Sequence, residues 1–234
     1  MAFPGIPEDI LGSLEEPNPI DLGVLREAVA AIANPPDAAL QAVVDYGRVL
    51  LAANTVTNLT GAKDWQTLIE SHLLDCIYAA AHLPEDLHIV ADWGSGGGLP
   101  GLVWAALFPE KQFLLLERNG KKAAFLDEAI LHLGWVHAEV LTGQGEETLR
   151  LEEDAPEVVV ARAVEPLPKL LRRMRKAQLP FRTLIVMAGS NWEEAWEQVE
   201  PSERAIWKLA ATHPYELPAN RGKRALLVFR RTRK

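Results

Sequence analysis

The chain has 234 residues, 48% of them hydrophobic and 24% charged, which is enough for one well-buried α/β domain with a modest appendage. No apolar run reaches the ~18 residues that a membrane span needs, and the acidic, Pro-rich stretch from Met1 to Glu16 lacks the basic start and apolar core of a secretory signal. A single cysteine, Cys76, excludes an internal disulfide and points to the cytoplasm, with a buried apolar role as its simplest reading.

The net charge of −8 conceals a division along the chain. Residues 1–88 hold 3 Lys and Arg against 13 Asp and Glu, residues 89–161 hold 5 against 12, and residues 162–234 hold 16 against 7. A basic third on an otherwise acidic protein suggests an anionic partner.

Residues 1–19 read as a flexible arm rich in Pro, Gly and Glu, and residues 20–87 as a helical region. Asp21 is expected to cap a helix to about Ala33, where Asn34-Pro35-Pro36 stops it. Asp37 caps a second helix over Ala38 to Ala53. Asp64 caps a third, to about Leu83, whose stripe of Trp65, Leu68, Ile69, Leu73, Cys76, Ile77 and Ala80 has helical spacing. From residue 88 to the end, strand and helix alternate. Strands are expected at 88–92, 112–117, 136–141, 157–161 and 183–188, and helices at 99–107, 120–133, 144–150, 167–177 and 191–199. That order predicts a parallel sheet covered on both faces. Two further apolar runs, 205–212 and 224–231, flank a turn from Pro214 to Gly222 and predict an antiparallel pair that closes the sheet.

The segment Asp92-Trp93-Gly94-Ser95-Gly96-Gly97-Gly98-Leu99-Pro100-Gly101 lies between the first of these strands and its helix. Its glycines would let a ligand approach the backbone, and the amides at the helix start are expected to meet it. Gly96-x-Gly98-x-x-Gly101 satisfies a dinucleotide fingerprint, and Glu117 lies 19 residues after Gly98, so a nicotinamide cofactor is a legitimate reading. Three features favour S-adenosylmethionine. Asp92 precedes the first glycine by two residues. Pro100 removes an amide donor that a pyrophosphate would use. Glu146 follows the next strand, so acids stand at the ends of three successive strands, the ligand-binding end of such a sheet. Glu117 could accept both ribose hydroxyls, and Glu146 could lie beside the adenine. Read blandly, Asp92 caps the turn, Glu117 is a solvated strand end and Glu146 belongs to an acidic surface.

From about Asn58 to Arg231 the sequence resembles the bacterial GidB/RsmG family of small-subunit ribosomal RNA guanine-N7 methyltransferases. The matching segments are Asn58-Leu59-Thr60, His72-Leu73-Leu74-Asp75, the 92–101 turn, Gly120-Lys121-Lys122 with Phe125-Leu126, Ala161-Arg162-Ala163-Val164 with Pro166-Leu167, and Arg224. The resemblance implies a class I S-adenosylmethionine-dependent methyltransferase, Rossmann-like, with a mostly parallel sheet, an antiparallel last strand and an N-terminal helical extension. It implies cofactor contacts at Gly94, Leu99, Gly145, Glu146 and Arg162, with Glu117 at the ribose. It implies 16S ribosomal RNA, or the small ribosomal subunit, as partner. The chain departs from the family at Glu117, where Asp is usual, at Ala188 and Ala225, where a cation and a histidine are usual, and at Trp93, where an aliphatic residue is usual.

If guanine N7 is the acceptor, its lone pair needs no general base, and the protein has only to hold it in line with the methyl group. No acid–base residue is therefore expected, and the six histidines show no metal-ligand spacing. The N7 edge lies in a groove of A-form RNA that side chains cannot enter, so the target should sit in a loop or be extruded. Arg172, Arg173 and Arg175, with Lys169 and Lys176, and the C-terminal group that includes Arg221, Lys223, Arg224, Arg230, Arg231, Arg233 and Lys234, are the candidate RNA contacts. His72 and Asp75, three residues apart on one helix, either shape the base pocket or form an internal pair. A monomer is expected. The readings from other classes are a nicotinamide-dependent oxidoreductase and an RNA-binding protein that kept the fold without the reaction.

Overall fold

The computed structural model describes residues 4–32, 35–84, 86–219 and 221–232. Ala33 and the Asn34 helix stop, and Arg233 and Lys234 of the basic tail, lie outside the described residues. The N-terminal elements are α1 (Glu8–Ser13), α2 (Pro19–Ala30), α3 (Ala39–Asn54), α4 (Trp65–Leu68), a π-helical turn (Ile69–Leu73) and α5 (Leu74–Ala80). There follow β1 (Ile89–Trp93), α6 (Gly101–Leu107), β2 (Gln112–Glu117), α7 (Gly120–Leu133), β3 (Ala138–Thr142), α8 (Gly145–Leu151), β4 (Val158–Arg162), α9 (Leu167–Ala177), β5 (Thr183–Gly189) and α10 (Trp192–Glu197). The chain closes with α11 (Pro201–Ile206), β6 (Trp207–Leu217) and β7 (Gly222–Arg231).

The seven strands lie in the order β3-β2-β1-β4-β5-β7-β6, the first five parallel and β7 antiparallel to both of its neighbours. This is the mostly parallel, doubly covered sheet that the alternation of elements predicts. Its strands read as near-continuous apolar runs because both faces are buried. Val90, Leu115, Val158 and Ile185 face the N-terminal helices, α6 and α7, while Ala91, Leu116, Val159 and Leu184 face the layer that holds α8 and α9. Cys76 is fully buried on the first side, and burial pushes its thiol far above its ordinary range, which leaves it a core residue.

Five local expectations differ from the structure. Asp37 does not cap α3, which starts at Ala39 with Ala38 at its N-cap and no side-chain cap bond. Residues 8–13 of the expected arm form α1, Ile6 and Leu11 are buried, and the Ile6 amide donates to Glu128 Oε1 on α7 at 2.7 Å. Two apolar anchors within a Pro- and Glu-rich stretch suffice to dock it. Asn18, not Asp21, caps α2, its Oδ1 accepting the amides of Ile20 and Asp21 at 3.0 Å. Asp64 does cap the third helix, accepting from the Thr67 amide at 2.7 Å, but the π-turn interrupts that helix where continuity is expected. Finally, β6 runs straight through Pro214, because β6 is an edge strand and a missing N–H there breaks no ladder bond.

Candidate functional site

Asp92 sits on β1 with 1% of its surface exposed. Its Oδ2 accepts the Gly101 amide at 3.0 Å. A Cβ on Gly101 would stand 2.4 Å from Leu115 and 2.7 Å from Asp92, so only glycine lets α6 begin this close to the carboxylate. Burial pushes the Asp92 carboxyl up to about 7, and its Oδ1 has no hydrogen-bond partner among the described residues.

The amides at the start of α6 do not face a ligand, contrary to the sequence expectation. Gly101 donates to Asp92, and Leu102 donates to the Gly98 carbonyl at 2.8 Å. Within the turn, Gly94 and Ser95 donate to Leu116 O at 2.9 and 3.1 Å, and Gly98 and Leu99 to Ser95 O at 2.7 and 3.3 Å. The turn engages most of its own amides, because the Asp92 carboxylate and the end of β2 lie within reach.

The helical region grips this turn. Tyr46 on α3 donates its hydroxyl to Gly97 O at 2.6 Å. Asn54, at the end of α3, organises the next loop, its Oδ1 accepting from Leu59 and Thr60 at 2.9 and 3.0 Å and its Nδ2 donating to Ala62 O at 2.7 Å. Sequence reasoning attended to Asn58 and Thr60 and missed Tyr46 and Asn54. Only a position just past an apolar helical run, where Asn favours a cap, could have pointed to Asn54.

Beside the turn lies a cavity of about 380 Å³ at the carboxyl ends of β1, β2 and β3. Gly94, Glu117 and Gly145 line it together with Trp93, Leu116, Asn119, Gln144 and Val164, and with the cations Arg118, Lys122, Lys169 and Arg173. Glu117 joins two loops, since Oε1 accepts the Asn119 amide at 2.7 Å and Oε2 the Gly96 amide at 2.9 Å. Gly145 abuts Trp93, and a Cβ there would meet the indole at 2.6 Å. Glu146 borders the adjoining cleft and is bridged by Arg173, whose Nη2 donates to Oε2 at 3.0 Å; these bonds hold its carboxyl below the usual range. The same guanidinium lies 5.2 Å from the centroid of a Trp93 ring.

Leu99 and Arg162 lie away from this cavity's lining. Leu99 is buried in the core against the N-terminal helices. Arg162 ends β4 and enters a compact polar cluster, its Nε donating to Asp75 Oδ2 at 2.8 Å and its Nη2 approaching His72 Nδ1 at 3.0 Å and Ser71 O at 3.4 Å. Asp75 Oδ1 accepts the Tyr215 hydroxyl at 2.8 Å, and Arg224 Nε stands 4.0 Å away. His72 and Asp75 are thus joined through Arg162, which sequence spacing did not reveal. Burial first, then the Arg162 charge, lowers the His72 pKa to about 4, so the ring is neutral. The next residue after Arg162, Ala163, has φ 54, a left-handed conformation that costs energy for a residue with a Cβ, and Val164 turns back to the cavity beside Gly94.

Three arginines of α9 meet carboxylates of the protein, while Lys176 is exposed without an ion-pair partner among the described residues. Arg172 lies 3.8 Å from Glu200 and 3.9 Å from Glu203, Arg175 Nε donates to Glu203 Oε2 at 2.7 Å, and Arg173 pairs with Glu146. Carboxylates from α8, α11 and the loop before α11, remote in sequence, neutralise them in place. Arg224 instead stands at the rim of the Arg162 cluster, and Arg118 and Lys122 have no ion-pair partner among the described residues.

Residues 39–220 match the GidB family, described as rRNA small subunit methyltransferase G. The chain is 36% identical over 191 residues to the ribosomal RNA small subunit methyltransferase G of Halorhodospira halophila, covering 81% of this chain and 87% of that one. The chain belongs to the GidB family. The enzyme of the same name from Acidothermus cellulolyticus is 34% identical over 167 residues, covering 71% of this chain and 72% of its relative. Among solved structures the METTL16 MTase domain superposes with a TM-score of 0.54 at 12% identity, covering 90% of this chain and 92% of that one. The B. subtilis M1A22 tRNA methyltransferase TrmK gives 0.50 at 15% identity, covering 68% and 65%. At such identities these share the fold alone, a Rossmann-like methyltransferase sheet. Family membership and the antiparallel β7 set aside the nicotinamide reading, whose fold continues the parallel order 3-2-1-4-5-6. Among the described residues no helix is long and apolar enough to cross a membrane.

Proposed function

We propose that this chain transfers a methyl group from S-adenosylmethionine to N7 of a guanine in small-subunit (16S) ribosomal RNA, acting as a cytoplasmic monomer. The observation that carries the reading is the cavity beside the glycine turn, within a chain of the GidB family: it lies at the ligand-binding end of a methyltransferase sheet and holds Glu117 and Gly145 where acids and glycines were expected to meet a nucleoside.

When bound, the cofactor supplies an electrophilic methyl group on a positively charged sulfur. Glu117 would accept the ribose hydroxyls, Gly94 and Gly145 leave space for the nucleoside, and Glu146 flanks the adenine with Arg173 as its counter-ion. Leu99 supports the turn from below. Arg162 offers its Nη1 group, which has no partner among the described residues, to the cofactor's carboxylate. No residue has to remove a proton, so the protein contributes by orientation. Among the candidate RNA contacts, Arg173 lines the cofactor cavity while paired with Glu146, Arg172 and Arg175 meet carboxylates of the protein, and Arg224 stands at the rim of the Arg162 cluster. Incubation with methyl-labelled cofactor and small-subunit RNA, followed by mapping of the labelled base, tests the reading. Label at a guanine N7 supports it. An unlabelled RNA refutes it and returns the chain to a binding role, and label at another atom refutes the guanine N7 assignment.

A further inference from the structure

The π-turn Ile69–Leu73 carries His72 to the carboxyl end of β4, the end at which the sheet binds its ligands. Single-turn π-helices inside α-helices recur at functional sites. A guanidinium has donors and no acceptor, so the 3.0 Å contact from Arg162 Nη2 makes His72 Nδ1 the acceptor. The ring's one proton then lies on Nε2. That N–H has no partner among the described residues, although the ring is only partly buried and its other nitrogen is fully engaged. Arg162 is itself fixed by Asp75, and Asp75 by Tyr215, so the donor is held by a chain of three residues.

We propose that His72 is a specificity-determining residue that donates its Nε2–H to O6 of the target guanine. The inference rests on the N7 reading above and adds the group that chooses the base. O6 and N7 share one edge of guanine, so a donor on O6 orients that edge while leaving the N7 lone pair free. Adenine presents an amino group in place of O6, and two donors would then face each other. A neutral donor suits the chemistry, because positive charge develops on the base as N7 is alkylated and a cation at O6 would oppose it. The lowered pKa keeps the ring neutral throughout the physiological range.

The test compares His72→Asn and His72→Gln with the wild type on small-subunit RNA carrying either guanine or 2-aminopurine at the mapped position. Asn keeps an acceptor near Nδ1 for Arg162 and deletes the outer donor. Gln places an amide N–H near the position of Nε2. The expected result is a loss in kcat/KM of about tenfold on guanine for His72→Asn, no further loss on 2-aminopurine, and recovery with His72→Gln. Calorimetric affinity for S-adenosylmethionine should be the same in all three. Equal losses on both bases, or an unchanged guanine rate in His72→Asn, would overturn the inference while leaving the N7 reading intact. Absence of N7 methylation by the wild type would overturn both.

Discussion

Replacing Asp75 with alanine would leave the Arg162 guanidinium buried without its counter-ion. The Asp75 side chain is 5% exposed and that of Arg162 17%, so solvent offers little screening. Two bonds of 2.8 Å converge on the carboxylate, from Arg162 Nε and the Tyr215 hydroxyl, and Arg224 adds a second cation at 4.0 Å. Breaking a buried pair by removing one partner costs ~3–5 kcal/mol. For a chain of 234 residues that corresponds to a fall in Tm of about 6–20 °C. Asp75→Asn keeps one acceptor oxygen for Arg162 and can turn its amide N–H toward the Tyr215 hydroxyl oxygen, and should lose about half as much. An Asp75→Ala/Arg162→Met double variant should recover part of the stability lost by Asp75→Ala, because the stranded charge is gone. Urea denaturation of the four proteins reads these differences directly. If Asp75→Ala lies within ~0.5 kcal/mol of the wild type, the range typical of plain surface substitutions, the cluster is not a buried ion pair in solution and the reasoning fails.

Further outcomes rest on the same geometry. Glu117→Ala should weaken S-adenosylmethionine binding by about ten- to hundredfold in calorimetry, since charge-assisted bonds disappear and the Gly96 and Asn119 amides are released; an unaltered affinity would remove Glu117 from the site. Asp92 has a folded pKa of about 7 against an ordinary 3.8, so the folded chain binds the extra proton between those values and stability from this group falls as pH rises through that window. At about 1.4 kcal/mol per unit, the wild type should lose up to ~4 kcal/mol more than Asp92→Asn between pH 4 and 7; parallel curves for the two proteins would refute the shift. Gly145→Ala drives a Cβ to 2.6 Å from Trp93 and should cost ~1–3 kcal/mol, recovered by Trp93→Leu, with thermal melts of single and double variants as the check. Arg224→Glu should flatten the salt dependence of RNA binding by roughly 0.7 for each phosphate that is no longer neutralised, whereas Arg172→Glu with Arg175→Glu should leave the slope unchanged, since those two residues face Glu200 and Glu203. Filter binding at several salt concentrations reads the difference.

The sheet and its flanking helices were legible because their signals are local. Strands β1, β2, β4 and β5 are apolar runs bounded by turn residues, and α7 spans the expected 120–133 with Asn119 as its cap. The glycine turn was equally plain, along with acids at successive strand ends. What the turn does with its amides was not legible. Gly101 binds Asp92 and Gly96 binds Glu117 only once α6 and β2 are packed, so which donors are left for a ligand is a tertiary outcome.

Charge shows the same limit more sharply. Counting cations along α9 marked Arg172, Arg173 and Arg175 as an RNA face, yet the carboxylates bonded most closely to Arg173 and Arg175, Glu146 and Glu203, come from 27 and 28 residues away along the chain. Conversely, the Arg162 cluster joins residues 87 and 140 positions apart, through Asp75 to Arg162 and Tyr215, and no periodicity records such a meeting. Composition, periodicity and turn chemistry act over a few residues and so determined the order of elements and the place of the cofactor turn. Ion pairing and burial depend on which distant segments the sheet brings together, and these decided which charged groups remain free to act.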